Sequence, residues 1–129
     1  MVQKLEFESA WDRTVAEQDR EKIKQAFSQA KKQLSDDESI QFTPLKSALN
    51  HKGELLVTTL VHNTTGEGFS FLQHEISFQQ NGHTIATHVF STPSLWIEKK
   101  TSMPWTFIFP EHQIDRHKIP ENGILILVK

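Results

Sequence analysis

The chain has 129 residues, a net charge of −2 and no cysteine, which excludes disulfides, thiolate metal sites, iron–sulfur clusters and a cysteine nucleophile. The length fits one domain, and the weakly acidic balance argues against nucleic-acid binding, which needs concentrated positive charge. No apolar run approaches the roughly 20 residues of a membrane span. The first residues, Met1 to Glu6, lack the apolar core of a secretion signal, so we expect a cytoplasmic protein without membrane insertion.

The N-terminal part of the chain carries a helical pattern over residues 14–34. Its apolar residues recur at spacings of three and four, which places them on one helix face: Ile23, Ala26, Phe27, Ala30 and Leu34. Thr14 and Glu17 have capping-box spacing, which favours Thr14 as the N-cap. A start near Ala16 stays open, because acidic residues that suit a first turn follow it. The apolar face is narrow, so we expect it to pack against a sheet.

From residue 39 the hydrophobic period changes to two, which predicts β-strands. Six segments carry the pattern, separated by turn residues: 39–45, 54–62, 69–80, 83–91, 104–109 and 124–128. The remaining stretches are interpreted as connections, a short one at 93–100 and a long polar loop at 110–123. One helix followed by six or seven antiparallel strands predicts a mostly β fold, an immunoglobulin-like β-sandwich at 39–129, within a single domain at 1–129.

Asn81-Gly82 is a strong hairpin signal, since both residues tolerate the positive φ values of a type I′ turn. A two-residue loop would pair Phe78 with Ile85, Ile76 with Thr87, His74 with Val89 and Glu75 with His88. In this register Phe90 lies on the face of Glu75 and Ser77 and needs a cover. The helix, a bulge that turns Phe90 inward, or a partner would supply it, and we favour the helix.

Seven histidines are the residues most suggestive of a metal site: His51, His62, His74, His83, His88, His112 and His117. Zinc needs three or four ligands that converge, whereas the hairpin register places His74 and His88 on opposite faces. We therefore interpret His74 as a hydrogen-bonded core residue and His88 as the cross-strand partner of Glu75. We expect no metal and no cofactor.

No catalytic motif emerges from the remaining polar residues. There is no G-x-S-x-G turn and no glycine-rich phosphate loop. Asp36-Asp37-Glu38 is most simply a solvated helix exit. Asn63-Thr64-Thr65 matches a glycosylation acceptor, but without a secretion signal we interpret it as a turn. We expect a protein that is not an enzyme.

The aromatic residues are the candidates for partner binding. Trp105, Phe107 and Phe109 alternate along one strand, which predicts a core face. Trp11 and Trp96 fall outside the predicted elements and either anchor the neighbouring segments or border an exposed apolar patch. A sandwich also has edge strands, which can accept a strand from another chain. The predicted partner-binding residues are Trp96, Trp105, Phe90 and Trp11.

Several stretches together resemble the SLAP domain of Bacillus-type Firmicutes, found in the S-layer assembly protein of the accessory Sec system. They are Trp11-Asp12-Arg13-Thr14, Asp19-Arg20-Glu21-Lys22-Ile23, Ile40-Gln41-Phe42-Thr43-Pro44, the run from Asn50 to Thr58, His62-Asn63-Thr64-Thr65, and the run from Lys100 to Pro110. The resemblance covers residues 5–128, and its most distinctive part is the stretch from Thr101 to Pro110.

The resemblance implies a non-enzymatic, cytoplasmic accessory domain that assists the export of S-layer proteins by the accessory Sec ATPase. The implied partner is an S-layer precursor or that ATPase, and no catalytic residues are transferred. The assembly protein carries the domain twice and this chain once, which leaves open a stand-alone relative with a different client or an excised domain. We expect binding by strand addition at an exposed edge, with an apolar patch near Trp96 and Trp105. The alternative is a structural domain that forms homo-oligomers through its helix and has no export role.

Overall fold

The computed structural model describes residues 3–35, 38–115 and 123–128. This part of the chain is mostly β, with two helices and two sheets, which confirms the mostly β prediction. Its elements are β1 (Lys4–Leu5), α1 (Ser9–Thr14), α2 (Glu17–Ala30), β2 (Ile40–Leu49), β3 (Leu55–Asn63), β4 (Phe69–Gln80), β5 (His83–Ile97), β6 (Thr101–Phe109), a 3₁₀ turn (Glu111–Gln113) and β7 (Ile124–Leu127). Neither described helix is long and apolar enough to cross a membrane.

The two sheets enclose one hydrophobic core in a sandwich-like arrangement. The first sheet has the strand order β1-β6-β3-β2 and the second β5-β4-β7. All strand pairs are antiparallel except the short pairing of β1 with β6. The core takes buried side chains from both sheets, among them Leu55, Val57, Val61, Phe71, Ile76, Phe78, Ile85, Phe107, Phe109 and Leu125.

The helices cover the other face of the first sheet. Successive side chains of a strand point to opposite faces. Val61 of β3 therefore enters the core between the sheets, whereas its neighbour Leu60 contacts Ile23 and Phe27 of α2 on the outer face. Both sides of β3 are thus buried. The prediction that the helix packs one face against a sheet is confirmed.

The predicted single helix at 14–34 is wrong in its bounds, because α2 spans only Glu17–Ala30 and Thr14 is the last residue of a separate helix, α1. α2 begins after Ala16, whose backbone is extended (φ −68°, ψ 149°) and which makes no side-chain cap. Thr14 ends α1 instead of capping α2, so the start near Ala16 is the correct alternative. After Ala30 the backbone bonds tighten to a spacing of three residues, which ends α2 before Leu34. Trp11 was predicted outside regular structure and instead lies in α1.

The Asn81-Gly82 hairpin has the predicted turn but not the predicted register. Both residues have positive φ, +51° and +80°, as a type I′ turn requires. Beyond the first two pairs a bulge adds one residue to β5, which shifts by one residue the pairs that β4 makes from Phe78 to His74. The four predicted pairs are therefore wrong; the observed ones are Phe78 with Ala86, Ile76 with His88, His74 with Phe90 and Glu75 with Val89.

This bulge decides the position of Phe90. It turns the side chain into the core, where its ring lies 5.0 Å from that of Phe107 and 5.2 Å from that of Phe109, measured between centroids. Phe90 is therefore covered by the opposite sheet, because the bulge turns it inward. The prediction that the helix covers Phe90 is wrong. A one-residue slip moves a side chain to the other face of a sheet.

Two predicted connections also differ from the structure. β5 continues to Ile97, so the predicted connection at 93–100 shrinks to the turn before β6, and Trp96 lies in a strand. In the predicted loop at 110–123, the described part holds the 3₁₀ turn and Ile114, which pairs with Ala86. Residues 116–122, with His117, lie outside the described residues, as do Asp36 and Asp37.

Replacing Ile23 tests the packing of α2 on the first sheet. Ile23→Ala removes buried apolar atoms against Leu60. We expect the free energy of unfolding in urea to fall by about 2–4 kcal/mol. Lys24→Ala, on the exposed side of the same helix, should change it by no more than about 0.5 kcal/mol. Equal effects of the two variants would contradict the packing of α2 described above.

Candidate functional site

The four predicted partner-binding residues lie in three different surroundings. Phe90 is buried between the sheets, and Trp105 on β6 is half-buried and packs against the same core. Trp11 is half-buried in the cluster between the helices and the first sheet. Trp96, on β5, is 53% exposed. The structure therefore leaves Trp96 at the surface, keeps Trp105 and Trp11 partly accessible, and places Phe90 inside.

Trp96 is held against the loop between β3 and β4. A Cβ atom at Gly68 would lie 2.0 Å from the indole Cζ2 atom, so the ring packs directly on the glycine backbone. The indole N–H donates to Glu98 Oε2 at 2.8 Å. The ring is thus fixed from two sides although half of it is exposed.

β6 offers the longest regular edge among the described strands. It pairs with β3 without a register shift, from Asn63 with Thr101 to Leu55 with Phe109. On its other side, the described residues that pair with it belong to β1, which reaches only Thr101 and Ser102. The Glu6 N–H donates to the Ser102 carbonyl, so main-chain groups at even positions of β6 point away from β3. Thr106 and Ile108 therefore direct their N–H and C=O groups outward.

The other sheet edges are less suited to pairing. β2 contains Pro44, which has no N–H, and a register shift follows directly. β5 has three irregularities in its pairing with β4, and Ile114 and the Asp115 N–H already contact it. β7 has four residues. Length and regularity favour β6 as the acceptor for an added strand.

The side chains beside the β6 edge are apolar on both faces. Trp105 lies on the core side, where an added strand would meet its accessible part. Ile108 lies on the outer side and is 47% exposed. Thr106 is fixed by a 2.9 Å hydrogen bond between its Oγ1 and that of Thr58. The edge thus combines outward main-chain groups with exposed apolar surface.

A buried polar network, missed by the sequence analysis, joins Gln3, directly before β1, to β3 and β6. His62 Nε2 lies 2.8 Å from Thr43 Oγ1, and His62 Nδ1 lies 2.6 Å from Ser102 Oγ. Gln3 Nε2 donates to Ser102 Oγ and to the Asn63 carbonyl, each at 3.1 Å. The one available signal was the even position of His62 on β3, which places it on the face of Leu60.

The chemistry of this network is that of a neutral imidazole. His62 and Ser102 are fully buried, which encloses the hydroxyl–imidazole pair within the protein. Burial lowers the pKa of His62 from 6.5 to about 4, since desolvation disfavours the charged ring. Ordering the N-terminal strand next to β6 is thus the evident effect of these hydrogen bonds.

Asn63 fastens the adjoining loop. Its Nδ2 donates to the carbonyls of Glu67, Ile97 and Glu98 at 2.7, 3.1 and 3.2 Å. Its Oδ1 accepts from the N–H and hydroxyl of Thr65. The side chain is fully buried, so the stretch that matches a glycosylation acceptor is a turn, as predicted.

The other histidines do not assemble a metal site within the described residues, where no three His, Asp or Glu side chains are grouped to hold an ion. His74 is half-buried, and its Nδ1 accepts from the Leu72 N–H at 2.8 Å, which confirms its hydrogen-bonded role. His88 does not pair with Glu75 but packs edge-on against Phe90. Burial, and secondarily His112, lowers the pKa of His88.

Adding a methyl group to Gly68 tests how Trp96 is held. In Gly68→Ala the new Cβ displaces the indole, so we expect the hydrogen bond to Glu98 to break and the Trp96 indole N–H resonance to move in the NMR spectrum. Gly66→Ala is the matched control, because no atom lies within 4 Å of its added Cβ. An unmoved Trp96 resonance in Gly68→Ala would contradict this packing.

His62 predicts an acid-sensitive contribution to stability. The unfolded chain binds the proton more tightly than the folded one, so the free energy of unfolding falls as the pH drops through 6.5 towards 4, by up to about 3 kcal/mol. His62→Gln removes this term. Urea unfolding should show that the difference in the free energy of unfolding between wild type and His62→Gln shrinks from pH 7 to pH 4. His51→Gln, at an exposed turn, is the control and should retain the pH dependence of the wild type. A constant gap for His62→Gln would refute the prediction.

The comparisons with known proteins identify the family. A family model described as the SLAP domain matches residues 5–129, essentially the whole chain. No curated protein and no solved structure matches the chain. The distinctive stretch from Thr101 to Pro110 falls within the match and contains β6, the strand with the longest regular edge. The chain therefore belongs to the SLAP domain family.

Proposed function

We propose that this SLAP domain is a non-enzymatic protein-binding accessory domain that works in the cytoplasm and assists the export of S-layer proteins by the accessory Sec pathway. Family membership supports an S-layer-associated role. The proposed partner is an extended segment of an S-layer precursor or of the accessory Sec ATPase. Its proposed mode of binding is strand addition along β6.

The observation that carries the proposal is the outward edge of β6 with apolar surface on both sides. An added strand forms main-chain hydrogen bonds with Thr106 and Ile108 while its side chains contact Trp105 on one face and Ile108 on the other. Main-chain pairing tolerates many sequences, which suits a domain that handles unfolded export clients. Trp96 lies on the other sheet and is not required for this mode.

We also propose an immunoglobulin-like layout for the sandwich. The hairpin of β2 and β3 is joined by β6 in the first sheet, and β4 is flanked by β5 and β7 in the second. This order corresponds to strands A, B and E facing a sheet centred on strand C, and the described residues include no counterpart of the final strand.

Ile108→Pro tests strand addition. It removes an N–H that points away from β3, so the ladder is retained and stability should fall by no more than about 1–2 kcal/mol, as for a proline on an edge. We expect a tagged Ile108→Pro domain to recover much less S-layer precursor or accessory Sec ATPase from host cytosol than wild type, by quantitative mass spectrometry.

Ile108→Thr is the matched control, because it keeps the N–H and removes most of the apolar side chain. It should retain more partner than Ile108→Pro if main-chain pairing dominates. Equal recovery of the named partners by wild type and Ile108→Pro would refute the edge as the site. Recovery of neither partner by the wild type would refute the export role itself.

The alternative function, self-association without an export role, is favoured by a different surface. The apolar side of α2 is used inside the chain, on Leu60. The second sheet, however, exposes apolar residues on its outer face: Val89, Ile124, Ile126 and Val128. Light scattering over a range of concentrations separates the two functions, since a constant monomer mass argues against assembly and a rising mass supports it.

A further inference from the structure

A groove of about 510 Å³ lies between the helices and β2, on the outer face of the first sheet. Its apolar lining is formed by Trp11, Val15, Ile23, Ala26 and Leu45. Asp19, Lys22 and Lys46 lie at its rim and are exposed. The volume is within the range of sites that hold a small molecule or one large side chain.

Two irregularities of the backbone create this groove. The break between α1 and α2 at Val15 and Ala16 allows Trp11 to pack in the cluster around Ile23 instead of continuing along one helix. On the opposite wall, the register shift between Pro44 and Lys46 leaves Leu45 packed against the same cluster. Bulges often re-aim a side chain next to a binding site.

The polar groups around the groove are mostly donors. Within the described part of the chain, Lys22 and Lys46 make no ion pair, and the Trp11 indole N–H has no hydrogen-bond partner. One carboxylate, that of Asp19, stands against these two ammonium groups and one indole N–H. The balance favours an occupant that brings acceptors and negative charge to an apolar pocket.

The groove also lies next to the proposed strand-addition site. Thr58 of β3 lines it, and the Thr58 hydroxyl is hydrogen-bonded to that of Thr106 on β6 at 2.9 Å. Neighbouring strands are about 4.8 Å apart, so a partner strand paired with β6 lies about 10 Å from β3, with β6 between the two. The two sites are close enough to serve one partner.

We propose that this groove binds an apolar side chain of a partner peptide whose neighbouring residues are acidic, an inference that rests on the proposed protein-binding function. The apolar lining holds the anchor, Lys22 and Lys46 attract the flanking carboxylates, and the Trp11 indole N–H donates to a peptide carbonyl. The groove thereby supplies the sequence preference that main-chain pairing along β6 lacks.

The experiment uses two short blocked peptides, one alternating aspartate with leucine and one alternating lysine with leucine. NMR titration follows the indole N–H resonances of Trp11, Trp96 and Trp105. We expect the aspartate–leucine peptide to shift the Trp11 resonance and to bind at least about tenfold more tightly than the lysine–leucine peptide, a difference of the size that a few exposed charge pairs produce. Equal binding of both peptides, or a Trp11 resonance that stays unmoved, would overturn the proposal.

Two double variants of equal charge isolate the rim. Lys22→Glu with Lys46→Glu should weaken the aspartate–leucine peptide about tenfold, whereas Lys32→Glu with Lys52→Glu, exposed outside the groove, should weaken it far less. Equal weakening by both would overturn the proposal. Titration with laurate is the third arm, and a Trp11 shift with laurate but not with the acidic peptide would assign the groove to a lipid instead.

The same titration on Ile108→Pro separates this proposal from the function it rests on. The groove does not include Ile108, so the Trp11 shift with the acidic peptide should persist in that variant. If the Trp11 resonance shifts with the acidic peptide but the wild-type domain recovers no export partner, the export role is refuted and the groove is still assigned to peptide binding. If the double variant Lys22→Glu with Lys46→Glu recovers as much partner as wild type, the proposed role of the groove is refuted and the export role is not.

Discussion

The burial of β3 on both faces is the constraint on which the rest of the structure depends. Alternate residues of the strand supply two separate cores, with Val57 and Val61 facing the second sheet and Leu60 facing α2. Neither core is closed without the strand, because β3 supplies buried side chains to both. The fold is therefore three layers, a helical layer, a first sheet and a second sheet, joined by one strand.

A strand buried on both faces must satisfy its polar side chains internally. Thr58, Thr59, His62 and Asn63 are all buried, and each has a hydrogen-bond partner. Among the described residues, the one buried side-chain atom without a partner is Thr92 Oγ1. Each unsatisfied group would cost roughly 1–3 kcal/mol, so these partners are a condition of the architecture. Through His62 and Asn63 they also position the N-terminal strand and the β3–β4 loop, which lie at the same end of the sheet.

Local signals predicted the elements whose cause is local. The 3.6-residue period located α2, the two-residue period located β3, and Asn81-Gly82 determined a type I′ turn by its tolerance of positive φ. The bulge near Ile85 has no such signal, and it moved the residues from Ala86 to Phe90 to the faces opposite the predicted ones. The hairpin was therefore predictable from the sequence, but the sheet faces on which Phe90 and His88 lie were not.

The candidate site was predictable only in part, for a related reason. Trp105 was identified by its alternation with Phe107 and Phe109, but its place at an open edge depends on strand order, which no local pattern encodes. Trp11 was identified as an aromatic residue without an element, and the groove it lines requires the helix break and the β2 bulge together. Gln3 could not be predicted as a site residue, because a single polar residue near the N-terminus has no distinguishing pattern. Its role follows from its hydrogen bond to Ser102, which only the folded structure shows.

The β6 edge shows how binding and solubility constrain each other. An open regular edge invites pairing with any exposed strand, and proteins usually obstruct such edges. Here β1 covers the first residues, and Pro104 removes one outward donor from the next position. What remains at Thr106 and Ile108 is a short stretch, enough to add a strand but too short to bind one tightly by main-chain bonds alone. A partner recognised there needs a second contact, and the nearest apolar pocket is the groove beside Trp11, one strand away across the Thr58–Thr106 hydrogen bond.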